Sequence, residues 1–475
     1  MDAVAGYGDP AADRESGLRW EGGVLNSSLA SQLRSGSVWA LIGKVFSSVA
    51  TLLTLALLTR LLSRHDFGTY ALLANTLVFL AAIGGWGMTS SVVREVAAAP
   101  DPASRALVIR VAFLLTVGIS SVLGLLLYVV VFVANRSGMQ SVWDAGSTAL
   151  LCLWLIVTCV QGVIGEAFRG LEDIPQATLF TGALATFLGV AAIFLLSLSG
   201  LEANLTQILW IFILSGLLAA LLGVWRLQAR THFLFPGRMA TPSSGQGRLP
   251  WFLKVSTPFL VINVMNFIFT QTDIWILGLS VPREEVALYA AAARLVLFVV
   301  APLVVSNAVL PGIVARLYQQ GQVAELEMSV RRLSTAAALP ALLALVVLIV
   351  GGPTVLGLFY GPEYRAAYPV LLLLSIGQFS VVCAGSATLV LAMTHHQDKL
   401  LHVNVVAAIS AVGLGLLLTR TYGMTGMAFT MMLVWTVSQW VMVWQARRLT
   451  GVWTHIQPGL LTLFWKRRHS RRMSS

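Results

Sequence analysis

Long apolar runs organise this chain. From about residue 36 to residue 445, stretches of twenty or more Leu, Ala, Val, Ile and Phe recur, separated by short polar breaks. A helix needs roughly 20 mostly apolar residues to cross the hydrocarbon core of a bilayer. Barrel strands would alternate over about ten residues between turns, whereas these runs are apolar on every helical face. The pattern predicts about twelve spanning helices, with approximate limits 36–62, 68–93, 107–134, 146–168, 174–199, 204–225, 251–278, 285–312, 334–358, 366–394, 399–419 and 424–445. The fold class read from this is an all-α integral membrane protein.

One phrase in the pattern is written twice. RHDFGTYALLANTLVF at Arg64–Phe79 returns as REEVALYAAAARLVLF at Arg283–Phe298, an offset of 219 residues. The copies match at Arg64/Arg283, Tyr70/Tyr289, Ala71/Ala290, Ala74/Ala293 and Phe79/Phe298, and each has an acid four residues before the Tyr, Asp66 or Glu285. Each copy opens the second span of a six-span set. Six is an even number, so the copies keep the same orientation, and two pseudo-symmetric six-helix lobes around a central cavity are expected, with a site at the interface between repeats. The expected division is a cytoplasmic amino-terminal tail (1–35), an N-lobe (36–228), a cytoplasmic linker (229–250), a C-lobe (251–446) and a basic interfacial or cytoplasmic tail (447–475).

Composition agrees with lipid as the solvent: 57% of residues are hydrophobic and 11% charged, against about 25% charged in soluble domains. The net charge of +11 raises the question of nucleic acid, and the placement of the basic residues answers it. With the amino terminus inside, 24 of 31 Lys and Arg fall on the inner side; the outer side keeps Arg60, Arg64, Arg136, Arg283, Arg294, Arg365 and Arg420. This is the positive-inside bias, with both termini cytoplasmic and no nucleic-acid partner needed. Cys152, Cys159 and Cys383 fall within spans at no metal-binding spacing and read as small apolar fillers, so neither a metal nor a disulfide framework is expected.

A charge inside the bilayer costs on the order of 2.5–3.5 kcal/mol by insertion scales and so marks a candidate site. Lys44 in span 1, Asp273 in span 7 and Arg294 in span 8 qualify. Asp273 and Arg294 reach similar depths and could pair; alternatively Arg294 faces a hydrated cavity. By the repeat, Asn75 is the counterpart of Arg294 and Asn263 that of Lys44, so each lobe offers one cation and one amide. That set suits a polyanionic head group, Arg engaging phosphate oxygens bidentately and Lys acting as a point charge. Arg60, Arg110, Asn266 and Gln271 are secondary candidates. The tail after Pro458 ends in a cluster of basic residues and predicts binding to anionic membrane lipids.

LLTRLLSRHDFGTYAL with the Gly-rich second span and Arg94, then TDIWILG, VALYAAAARL and Pro311, resemble bacterial polysaccharide flippases, the O-antigen and capsule branch of the multidrug/oligosaccharidyl-lipid/polysaccharide exporter superfamily. The resemblance implies two six-helix lobes and a central cavity that alternates between faces. It implies a flippase that moves a polyprenyl-(pyro)phosphate-linked oligosaccharide from the inner to the outer leaflet of the bacterial cytoplasmic membrane, for cell-surface polysaccharide synthesis. A coupling ion, a glycan polymerase and glycosyltransferases are the further partners it suggests. A cation-coupled drug exporter of the same superfamily and a lipid II-type flippase are the alternatives. No cofactor or enzymatic activity is expected: SGSVWALIGKV lacks the first Gly and the Ser/Thr of a P-loop, with Val38 and Val45 at those positions.

Overall fold

The computed structural model describes residues 49–137, 144–200, 203–234, 249–394 and 396–457. Every regular element among them is helical: α1 (Val49–Leu61), α2 (Arg64–Gly84), α3 (Met88–Ala98), α4 (Pro102–Arg136), α5 (Ala145–Gly170), α6 (Ile174–Thr178), α7 (Leu184–Leu198), α8 (Leu205–Thr231), α9 (Leu249–Ser280), α10 (Arg283–Leu295), α11 (Leu297–Gln319), α12 (Val323–Tyr360), α13 (Tyr368–Ala384), α14 (Ala387–Met393) and α15 (Gln397–Thr450). A π turn, Leu179–Ala183, joins α6 to α7, and a 3-10 turn, Pro362–Ala367, precedes α13.

Several spans are broken, which is why they outnumber the expected twelve. Span 2 is α2 plus α3, divided where Trp86 and Gly87 take positive φ (43° and 69°). A Cβ on Gly87 would sit 2.4 Å from the Ser256 carbonyl oxygen, so glycine is required there both by conformation and by the approach of α9. Span 8 is α10 plus α11, bent by 41°. Conversely, α15 holds two spans. Its 54 residues would reach about 81 Å if straight, yet a Cβ on Gly415 would lie 3.0 Å from Met427 Sδ. Residues twelve apart touch because the chain reverses at Gly423 (φ 57°), and the Glu285 carboxylate receives the Met424 N–H at 3.0 Å to start the returning helix. Among the described residues eight helices, or nine with the bent α10–α11 pair, are long and apolar enough to cross a bilayer; with α1, α9 and the second half of α15 added, the arrangement fits twelve passes.

We name the ends of the bundle by the Lys/Arg bias. Toward the outer end one apolar core runs across both halves, from Leu58, Phe67 and Leu73 to Tyr289, Tyr360 and Leu371. Toward the inner end the halves have separate cores, one around Met88, Ile109 and Phe168 and the other around Leu310, Leu326 and Val443. Among the described residues, only the start of α9, with Phe252, enters the first of these from the second half. The outer closure centres on α2 against α10: a Cβ on Gly68 would lie 1.9 Å from the Arg283 carbonyl oxygen, and one on Gly278 of α9 would lie 2.3 Å from Leu72 Cδ2. Small residues let helix backbones approach where no water drives them together. Polar links between the halves add to this: Arg60 Nη2 donates to the Leu358 carbonyl at 2.7 Å, and Arg64 pairs with Glu363 at 3.0 Å.

After α15 the chain turns back as a strap, 452–457, across the inner end of the second half. Thr454 Oγ1 donates to the Ala384 carbonyl and the Ile456 N–H to that of Cys383, two carbonyls freed where span 10 breaks at Gly385. His455 of the strap contacts Arg331 at 3.3 Å and packs edge-on against Trp453.

Two outcomes follow. Gly68→Val forces the α2–α10 backbones apart and costs about 1–3 kcal/mol, read as earlier loss of monodisperse protein on heating in detergent; Arg64→Ala, removing an ion pair with both side chains well exposed, costs less than about 1 kcal/mol. Partial burial, and then the Arg331 charge, hold His455 below its ordinary pKa, against a weaker opposing effect of Glu327. A folded pKa below the unfolded one favours folding above the ordinary histidine range and loses that contribution as pH falls through the folded value. Protection factors for the amides of 452–457, exchange rates corrected for their intrinsic slowing at lower pH, therefore fall between pH 7 and pH 5, and do not in His455→Phe.

Candidate functional site

A cavity of about 450 Å³ lies among α1, α2, α5, α7 and α8 of the first half and is closed on one side by α9 and α10 of the second. This size is within the usual range for small-ligand sites, about 300–1,000 Å³. Its wall carries Thr51 and Thr54 from α1; Tyr70 and Asn75 from α2; Trp154, Thr158 and Gln161 from α5; Thr181, Gly182 and Thr186 around the π turn; Phe212 from α8; Gln271 from α9; and Arg294 from α10.

Local sequence accounts for this polar lining in an apolar protein. Thr54, Thr181 and Thr186 each donate their hydroxyl to the carbonyl four residues earlier, which satisfies the donor within the helix and leaves oxygen lone pairs toward the cavity. The π turn occurs where α5 and span 5 touch closely: a Cβ on Gly165 would lie 2.0 Å from Thr181 Oγ1, while Gly182 has open space on its Cβ side. Single π turns of this kind re-aim side chains at sites.

Among the described residues, Arg294 is the one charged residue of the wall, and no Asp or Glu lines it. It occupies the last turn of α10, just before the bend of span 8, where the helix C-terminus favours a cation. Among the described residues its guanidinium has neither an ion-pair nor a hydrogen-bond partner. Asn75 is 5% exposed; its Nδ2 donates to the Gln271 carbonyl at 3.2 Å, and its Oδ1 is buried without a partner. The two repeat-equivalent positions singled out by sequence, 75 and 294, thus meet at one cavity.

The other candidates fall elsewhere. Asp273 is buried at 7% exposure and does not line the cavity: Tyr289 Oη donates to its Oδ2 at 2.8 Å and the Ile274 N–H to its Oδ1 at 2.9 Å. Of the two readings the sequence leaves open, direct pairing with Arg294 is not seen among the described residues: the bond goes to Tyr289, and the Arg294 charge acts on Asp273 only from beyond ion-pair distance. Asn263 is half-buried and off the wall, Gln271 is on it, Arg60 belongs to the outer closure, and Arg110 is exposed on α4. Lys44 and the tail beyond residue 457 lie outside the described residues, as does the side chain of Asn266.

Sequence reasoning missed Thr54, Trp154, Thr158, Gln161, Thr181 and Phe212. A signal was available for some of them: Thr158 and Gln161 are three apart on one face of an otherwise apolar span. Thr54 is also the repeat counterpart of Asp273, and Tyr70 that of Tyr289. In the second half that pair is locked together, whereas in the first half both members open onto the cavity.

Comparison with known proteins follows the same lines. Among solved structures the chain is similar to a multidrug resistance MATE family transporter of the MOP superfamily in an inward-facing conformation, at 16% identity over 85% of this chain and 94% of that one, with a TM-score of 0.68. It is similar to the lipid II flippase MurJ in an inward closed conformation, at 12% identity over 86% and 87% of the two chains, with a TM-score of 0.65. A MOP superfamily transporter from Pyrococcus furiosus, described by the reverse polarity of its binding pocket, gives 16% identity, 87% and 94% coverage and a TM-score of 0.59. At these identities the likeness is one of fold, and it fits the two-lobe, twelve-helix arrangement. Comparison with curated proteins gives no match. A model of the family described as polysaccharide biosynthesis protein matches residues 33–315. That is more than half of the chain, which therefore belongs to the polysaccharide biosynthesis protein family.

Proposed function

We propose that the protein is a flippase of the bacterial cytoplasmic membrane that carries a polyprenyl-(pyro)phosphate-linked oligosaccharide from the inner to the outer leaflet by alternating access. The observation that carries this reading is Arg294: among the described residues, a cation with no ion-pair or hydrogen-bond partner on the wall of a cavity lined by no carboxylate. A drug or proton site built to hold cations needs unpaired acids, and the one buried acid nearby, Asp273, is occupied by Tyr289. A phosphate oxygen supplies the missing acceptor, in a setting where a charge-assisted hydrogen bond is stronger than in water.

The cores support a direction. The second half has its own core at the inner end, with α9 alone, among the described residues, held against α3 there by the Ser91–Ser256 hydrogen bond of 2.7 Å, which favours entry of the head group from the cytoplasmic side while the prenyl tail stays in lipid. Outward opening then requires α2 to part from α10, with the loss of the Arg60–Leu358 and Arg64–Glu363 links. The oligosaccharide reading rests on the family; lipid II as cargo is the alternative that the fold of MurJ keeps in view. Glycosyltransferases that build the oligosaccharide and a polymerase that consumes it are the partners this role calls for. Anionic lipids would hold the basic tail, and consumption of product outside, or an ion gradient, would drive the cycle.

In proteoliposomes, Arg294→Ala lowers the rate of flipping of a polyprenyl-pyrophosphate oligosaccharide by about 10-fold or more, the worth of one charge-assisted hydrogen bond, while Arg294→Lys keeps part of it. Equal rates for wild type and Arg294→Ala would remove the basis of the proposal.

A further inference from the structure

Three rings on the cavity wall form a slab. Trp154 and Phe212 stack at 5.3 Å between centroids with 11° between planes, and Tyr70 stacks on Phe212 at 5.7 Å and 21°. Trp154 and Phe212 keep part of their surface open, and all three line the same space as Asn75, Thr158 and Arg294. Nothing in the binding of a phosphate calls for such a slab, because an anion is repelled by the negative face of an aromatic ring. The orphaned Asn75 Oδ1 points the same way. It is an acceptor, so a deprotonated phosphate oxygen cannot satisfy it, and a buried acceptor without a donor costs about 1–3 kcal/mol. What fits both is a group with C–H bonds on one face and O–H donors at its edge.

We propose that this wall is a neutral-sugar subsite, distinct from the anion position at Arg294. A pyranose ring lies with its C–H face on the slab, gives a hydroxyl proton to Asn75 Oδ1 and meets the Thr158 hydroxyl, which has no partner among the described residues. The inference rests on the flippase reading and deepens it. The sugar nearest the phosphate is read by the first half alone, while the second half, its own equivalent pair closed by the Tyr289–Asp273 bond, supplies the charge. Discrimination between sugars then resides in the edge contacts, because the slab accepts any ring with an open C–H face, whereas an Asn amide oxygen and a Thr hydroxyl register where each hydroxyl points.

The test uses purified full-length protein in nanodiscs and two kinds of probe: methyl glycosides of glucose, galactose, mannose and N-acetylglucosamine, followed by saturation-transfer NMR, and inorganic pyrophosphate, followed by calorimetry. At least one glycoside binds, with a Kd on the order of millimolar and transfer strongest to ring C–H protons. Trp154→Ala weakens it by about five- to ten-fold, as does Thr158→Val, a near-isosteric change that keeps the fold if the tryptophan variant does not. Leu125→Ala, on an exposed apolar position of α4, leaves it unchanged. Failure of all four glycosides to bind, or equal binding by wild type and Thr158→Val, overturns the subsite. Sugar binding without pyrophosphate binding upholds the subsite and instead counts against the anionic head-group reading.

Discussion

The close approach of α2 and α10 is the constraint on which the rest depends. In hydrocarbon there is no water to drive apolar helices together, so they associate by contact at small residues and by polar links shielded from lipid. Gly68 against the Arg283 carbonyl supplies the first and the Asn75–Gln271 link the second, while the exposed Arg60–Leu358 and Arg64–Glu363 links add to the closure at the outer end. Because α2 and α10 are the two copies of the repeated segment, their packing brings both copies together at one interface. That geometry sets Asn75 and Arg294 on one cavity although 219 residues separate them.

The halves share a plan and differ in chemistry. Thr54 and Tyr70 in the first half are free to line a cavity, while their counterparts Asp273 and Tyr289 satisfy each other in the core. A buried carboxylate with two donors is a structural element, and breaking it would leave an uncompensated polar group. On the proposed function, this asymmetry would divide labour, with the recognition surface on one side and the charge on the other. Breaks in span 5 at the π turn and in span 8 after Arg294 border the same cavity, as irregular backbone at membrane depth does where it lines a water-filled space.

Much of this was legible in the sequence for physical reasons. Apolar runs with a lipid-set length reveal helices, and an even-numbered repeat reveals their relative orientation. Arg294 and Asn75 stood out because a charge or an amide at that depth is costly and the repeat aligned them. The sequence leaves open whether Asp273 pairs with Arg294 or Arg294 faces a cavity, because depth along two helices does not fix the rotation of each about its axis. The rotation of α9 faces Asp273 toward Tyr289, a residue that the repeat marks but whose direction the sequence does not show. The aromatic slab was invisible for a related reason: Tyr70, Trp154 and Phe212 are scattered over three spans, and aromatic residues in an apolar helix carry no sign of which way they face. Broken spans were hidden wherever a single residue takes an unusual φ, as Trp86 does.

The central claim is that this cavity carries an anionic, sugar-bearing head group across the membrane. The direct measurement is the leaflet distribution of polyprenyl-linked oligosaccharide in cells depleted of the protein, read by accessibility to a sugar-specific lectin in spheroplasts and in inverted vesicles. The account predicts accumulation on the cytoplasmic leaflet, reversed when the wild-type chain is restored. An unchanged distribution between the leaflets after depletion would contradict it.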